Sequence, residues 1–107
     1  MEKKSAHYPL HRIKAIVAEL GAACFTKAAR AGFAQMGLDE AQAVAVIANL
    51  TRSQCHKSMT TMADHTVWQD VYRCDTPAGR KAYVKLTLIE PTPEQPTPRV
   101  VISFKEL

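Results

Sequence analysis

The apolar periodicity of this chain changes at Gln54. Before it, hydrophobic residues recur at the three- and four-residue spacing of amphipathic helices; after it they alternate with polar residues, as in strands with one buried face. Leu10, Ile13, Ile16, Val17 and Leu20 mark a first helix, with Pro9 suited to its first turn and Gly21 to its end. Ala22 to Phe25 is a short apolar link with the makings of a brief edge strand. Thr26 then offers an N-cap hydroxyl to a second helix over Lys27 to Met36, closed by Gly37. Asp39 with Gln42 three residues on has the pattern of a capping box, and Ala41, Val44, Ala45, Ile47 and Ala48 carry a third helix to near Leu50.

The second half predicts strands. Gln54 to Thr61 and Val67 to Arg73 are joined by the polar turn Met62-Ala63-Asp64-His65, where His65 is expected to bond locally with Asp64 and Thr66. A turn by composition, Cys74 to Arg80, leads into Ala82 to Ile89, and Val100 to Lys105 completes the set. The predicted class is α+β: helices on one face of a mainly antiparallel sheet, in a single domain over residues 1–107. Val84, Leu86, Leu88, Val100, Ile102 and Phe104 should meet the helices. If Cys55, Lys57, Met59 and Thr61 share one face, and Val67, Gln69, Val71 and Arg73 another, the opposite sheet face gathers Lys57, Gln69, Tyr83, Lys85 and Lys105. Trp68 alternates away from Gln69 and is expected in the core. Between the last two strands, Glu90 to Pro98 holds four prolines in nine residues, which favours a solvated excursion and excludes ladder pairing there.

Composition sets outer bounds. A chain of 107 residues with 47% hydrophobic and 22% charged residues suffices for one modest core. No apolar run reaches the roughly 18 residues of a membrane span, and Met1 to Ser5 lead into no signal core, so a cytoplasmic protein without membrane association is expected. Three cysteines, Cys24, Cys55 and Cys74, lack metal-binding spacing and read as reduced thiols. His7 and His11 have helical metal spacing, but Pro9 between them argues against helix at His7 and against a zinc site. Cys55 and His56, adjacent on a strand, point to opposite faces and cannot form a nucleophile–base pair. The net charge of +4 is a modest excess, and it is not concentrated in the second half, where seven Lys/Arg stand against six acids. A face there that binds an anionic partner must arise from geometry, with the acids turned away.

The run K-S-M-T-T-x-x-D-H-T-x-W-Q-D-V-Y-R from Lys57 to Arg73, followed by Y-x-K-x-T-x-I from Tyr83 and a terminal V-x-x-S-F-K-E, resembles the MqsR (motility quorum-sensing regulator) toxin family, relatives of the RelE-type mRNA interferases. The resemblance implies a RelE-like toxin fold and the toxin half of a type II toxin–antitoxin pair. It implies an endoribonuclease that cuts mRNA without metal or other cofactor, independently of the ribosome, at short GCU-like sites, leaving 2′,3′-cyclic phosphate and 5′-hydroxyl ends. The implied partner is an MqsA-like antitoxin combining a zinc-binding domain with a helix-turn-helix DNA-binding domain, through which the toxin would reach operator DNA only indirectly. A different class of function, a non-catalytic RNA-binding or regulatory protein with the same fold, is the alternative.

Residue by residue, the resemblance carries catalytic positions onto Lys57, Gln69, Tyr83 and Lys105. Metal-free RNA cleavage needs the ribose 2′-hydroxyl deprotonated, in-line attack on phosphorus, a protonated 5′-oxygen and charge neutralised on the phosphoryl oxygens. Lys57 and Lys105 would neutralise the phosphate, Tyr83 would move a proton at the 2′- or 5′-oxygen, and Gln69 would hold the phosphate or Tyr83. A lysine serving as base, its pKa lowered by a neighbouring cation, is left open. Arg73 and Lys85 are candidate backbone contacts, and Met59 a further substrate contact. Where the family can carry a histidine after T-x-I, this chain has Glu90, and an aromatic pair that often precedes the family's lysine is replaced by Cys55-His56, so no histidine base is assigned.

Overall fold

A computed structural model describes residues 1–107. Its order is β1 (Glu2–Lys3), α1 (Leu10–Leu20), α2 (Lys27–Gln35), α3 (Glu40–Ala48), β2 (Cys55–Thr60), β3 (Trp68–Asp75), β4 (Lys81–Ile89) and β5 (Arg99–Glu106). The strands form one sheet in chain order, every neighbouring pair antiparallel. The α+β class is as the sequence predicts. No helix is long and apolar enough to cross a membrane.

The helices start where their caps dictate. Thr26 accepts a hydrogen bond from the Ala29 amide, and Asp39 and Gln42 exchange side-chain and backbone bonds as a complete capping box. Gly37 has a φ of 78°, the left-handed conformation that ends α2 without a Cβ clash. Ile13, Val17, Phe33, Ala43 and Ile47 from the helices meet Val84, Leu86, Ile102 and Phe104 from the sheet in one core. Phe25, Phe33 and Phe104 stack edge to face within it. Gly32 lets α2 lie directly on β5: a Cβ there would sit 2.0 Å from the Phe104 carbonyl oxygen.

Five features depart from the sequence reading. The link expected as a strand over Ala22 to Phe25 is instead a 3-10 turn, Gly21–Cys24, followed by a single parallel bridge from Phe25 to Ile102. Glu2 and Lys3 do form a strand, β1, on the outer edge of β2; two charged residues carry no alternation from which to infer it. Trp68 lies outside the core, half-buried, because the N-terminal segment rather than a helix covers it. His7 stacks on its ring at 5.0 Å and Lys3 Nζ stands 4.6 Å from the ring centroid. In the turn before it, Asp64 accepts from the amide and hydroxyl of Thr66, while the His65 ring makes no hydrogen bond.

The fifth departure is a bulge. Cys55 pairs with Tyr72 and Lys57 with Val71, so His56 is an extra residue in the ladder. Cys55 therefore does not share the face of Lys57 and Met59; it turns toward the core, and His56 takes the opposite face. Ser58 and Asp70, paired across β2 and β3, also lie on the helix side, and both are fully buried. The Asp70 carboxylate accepts from Ser58 Oγ at 2.6 Å and from the amides of His7 and Tyr8 at 2.9 and 2.8 Å, fastening the N-terminal segment to the sheet.

The proline-rich stretch forms no strand, as predicted. Its root is fixed to α1 by a two-pronged ion pair, Arg12 to Glu90, at 2.5 and 2.6 Å.

Candidate active site

Antiparallel register decides which side chains share the open face. One rung brings together Arg73, Tyr83 and Lys105; the next brings together Lys57, Val71, Lys85 and Ser103. The Lys105 ammonium lies 5.2 Å from the centre of the Tyr83 ring and that of Lys85 6.0 Å. Between them Val71 is 0% exposed although it faces away from the helices. The long side chains around it therefore roof an apolar floor, and their charged ends stand above it.

The acids are turned away, as an RNA-binding face requires. By alternation the open face carries Lys57, Arg73, Lys81, Lys85, Arg99 and Lys105, and only two carboxylates, Glu2 and Asp75. Asp75 is occupied with Lys81 at the end of the sheet, 3.1 Å away. Asp70 is buried beneath, and Glu90 and Glu106 pair with Arg12 and Arg80 away from the rungs. Lys85 and Lys105 have no carboxylate within ion-pair distance.

Glu2 is the exception at the centre. Its carboxylate accepts from Lys57 Nζ at 2.9 Å. That hydrogen bond, with the attraction of the two charges, raises the Lys57 pKa above the ordinary lysine value and lowers that of Glu2. The ion pair with Glu2 therefore favours the cationic form of Lys57, the opposite of the lowered pKa that a lysine base would need.

Not all the predicted residues converge. Lys57, Arg73, Tyr83, Lys85 and Lys105 form one cluster. Gln69 stands beside Met59 one rung beyond Lys57, and it is four residues from Arg73 along β3, about 13 Å at strand rise. It is too far to hold Tyr83, so of its two predicted partners only the phosphate remains. Sequence reasoning missed Glu2, because β1 is too short to be seen, and His56, because a bulge leaves no mark on the alternation it interrupts. His56 is exposed on the open face, its Nε2 3.0 Å from Arg73 Nη2.

The thiols are structural. Burial pushes Cys24, Cys55 and Cys74 above the ordinary cysteine value, and Cys55 is directed away from the cation cluster. No group of three or more His, Cys, Asp or Glu side chains is placed to share a metal ion. The largest cavity, about 1060 Å³, lies between the N-terminal segment, α1 and the start of β2, with Tyr72 in its wall; none of the clustered residues lines it.

The family model described as "Motility quorum-sensing regulator, toxin of MqsA" matches residues 5–106. The chain belongs to the MqsR toxin family. Consistent with this, it is 38% identical over 106 residues to the mRNA interferase toxin MqsR of Escherichia coli (strain K12), covering 99% of each chain. The signature that resembles MqsR thus divides by face. From K-S-M and W-Q-D, Lys57 and Gln69 go to the open side and Ser58 and Asp70 to the buried latch. Glu2 lies before the span matched by the MqsR family model.

Proposed function

We propose that this protein is the toxin of a type II toxin–antitoxin pair and an endoribonuclease that cuts mRNA in the cytoplasm, needing no metal, independently of the ribosome and at short GCU-like sites. The observation that carries the reading is the rung Arg73–Tyr83–Lys105 beside the rung Lys57–Val71–Lys85: a phenol set among four cations on a rigid, uncovered sheet face. Membership of the MqsR family supports the same activity.

The ribose 2′-oxygen, once deprotonated, attacks phosphorus in line with the departing 5′-oxygen. Negative charge grows on the phosphoryl oxygens, where Lys57, held protonated by Glu2, and Lys105 are placed to oppose it. Arg73 and Lys85 hold the flanking phosphates, and Gln69 and Met59 contact the nucleotide one rung further on. Tyr83, beside Lys105, gives its phenolic proton to the 5′-oxygen as the P–O bond breaks. The products are a 2′,3′-cyclic phosphate and a 5′-hydroxyl. The neutralising partner is an MqsA-like antitoxin with a zinc-binding domain and a helix-turn-helix DNA-binding domain.

The test is cleavage of a defined mRNA by purified protein in excess EDTA, with the product ends mapped. The expected result is cyclic-phosphate ends from wild type and losses of about 10²-fold or more in folded Lys57→Ala, Lys105→Ala and Tyr83→Phe. RNA that is bound but left intact, with and without ribosomes, would establish a non-catalytic RNA-binding protein instead.

A further inference from the structure

The deprotonation of the 2′-hydroxyl has no owner among the residues above. Lys57 is paired with Glu2, and the reaction proposed above uses Lys105 at the phosphoryl oxygens and Tyr83 at the leaving oxygen. The bulge brings one more side chain to this face. Because Cys55 and Lys57 pair with consecutive residues of β3, His56 is inserted beside Lys57 rather than opposite it, and its ring reaches Arg73 on the adjacent strand.

A guanidinium has only donors to offer. At 3.0 Å from Arg73 Nη2, His56 Nε2 is therefore the acceptor, and the ring proton of this neutral imidazole sits on Nδ1. The lone pair of Nε2 is thus held at the cation cluster, capped by a group that also seeks phosphate. The charged and titratable groups around the ring are Arg73 from β3, Lys57 on its own strand, Glu2 from β1, which is engaged with Lys57, and Tyr83 beyond Arg73 on β4.

We propose that His56 is the general base of the cleavage reaction, released when Arg73 exchanges its imidazole partner for a phosphate oxygen of the RNA. The proposal rests on the ribonuclease reading above. Nε2 takes the proton of the 2′-hydroxyl, the 2′-oxygen forms its bond to phosphorus, the P–O5′ bond breaks, and the 5′-oxygen receives the proton of Tyr83. His56 is left as imidazolium and Tyr83 as phenolate; exchange with water restores both.

Single-turnover cleavage of a defined RNA, followed from pH 5 to 9 in EDTA, tests this, with binding measured on the same RNA carrying a 2′-deoxyribose at the cut site. Wild type should show a rate that rises with pH as the base loses its proton and then levels. His56→Gln should cut about 10²- to 10³-fold more slowly, without that rise and with binding changed less than about twofold. His56→Ala should recover activity when imidazole is added. His56 is exposed, so these variants keep the core intact, and circular dichroism verifies it. Wild-type rates and an unchanged pH profile in His56→Gln would overturn the proposal while leaving the ribonuclease reading in place. So would a loss of binding equal to the loss of rate, which would make His56 a substrate contact. A wild-type protein that binds RNA and never cuts it would overturn both.

Discussion

Ser58 and Asp70 face each other across the β2–β3 pair, with the serine hydroxyl donating to the carboxylate at 2.6 Å where no solvent reaches. The same carboxylate receives the amides of His7 and Tyr8. Asp70→Ala leaves the buried Ser58 hydroxyl and the part-buried amides of His7 and Tyr8 without their acceptor and should cost about 3 kcal/mol, against about 1 kcal/mol for Ser58→Ala, both read from urea unfolding. In Asp70→Ala the His7 and Tyr8 amides should also exchange with deuterium far faster than the core strands.

Glu2 and Lys57 respond to pH in opposite directions. The Glu2 pKa is lowered, so its contribution is present above the ordinary value of 4.5 and is lost as pH falls through the folded-state value. The Lys57 pKa is raised, so its contribution is present below 10.5 and is lost as pH rises through its own folded-state value. Across the neutral range both are charged. In NMR titrations Lys57 Nζ should lose its proton above pH 10.5, and Glu2→Gln should bring that midpoint down; no downward change would show that Glu2 does not hold Lys57. Both groups are exposed, so added salt should shrink the difference.

Replacing glycine by alanine inside a helix ordinarily stabilises it by about 1 kcal/mol. At Gly32 the sign should reverse. The new Cβ would overlap the backbone carbonyl of Phe104, so Gly32→Ala should destabilise by about 1–3 kcal/mol, measured by thermal unfolding. Because Lys105 follows Phe104 on the displaced strand, cleavage should fall as well at temperatures where the variant remains folded.

Tyr72 presents the reverse case. Its ring is fully buried in the core, its hydroxyl has no hydrogen-bond partner, and burial pushes its pKa up to about 12. Tyr72→Phe removes an unsatisfied polar atom and keeps the ring. It should be neutral or stabilising by about 1 kcal/mol in urea unfolding, with cleavage unchanged.

Shortening Pro91 to Pro98 to a two-residue turn, with Glu90 and Arg99 kept, should leave cleavage intact. The segment pairs with no strand, and closing a shorter loop changes the entropy by only about 1 kcal/mol. A folded deletion variant with a large loss of cleavage would assign the segment a part in substrate binding.

Helix caps and the alternation of β4 and β5 were legible in the sequence because each is a local pattern with a local cause. Thr26, Asp39 and Gln42 cap the helices they were expected to cap, and Leu86 and Ile102 face the core. What escaped depends on residues far apart in the chain. The side of the sheet on which Cys55 lies is set by a bulge read only against β3. Trp68 is covered by His7 rather than by a helix. Asp70, which looks like a surface acid within W-Q-D, is buried because the amides of residues 7 and 8 come to meet it. Alternation also placed Gln69 and Tyr83 on one face, but a face has length, and only register shows how far apart along it two residues stand.

The cation cluster lines none of the three main cavities, the largest of which lies toward the helices. Tight small-molecule binding depends on walls that enclose most of the ligand, and this sheet face supplies a floor without walls. A drug-sized inhibitor aimed at these lysines would remain largely in water, bound by exposed charges that salt weakens. Effective inhibition has to come from something as broad as the sheet, or from pressure on the scaffold beneath it, at places such as the Asp70 latch or the contact of Gly32 with β5.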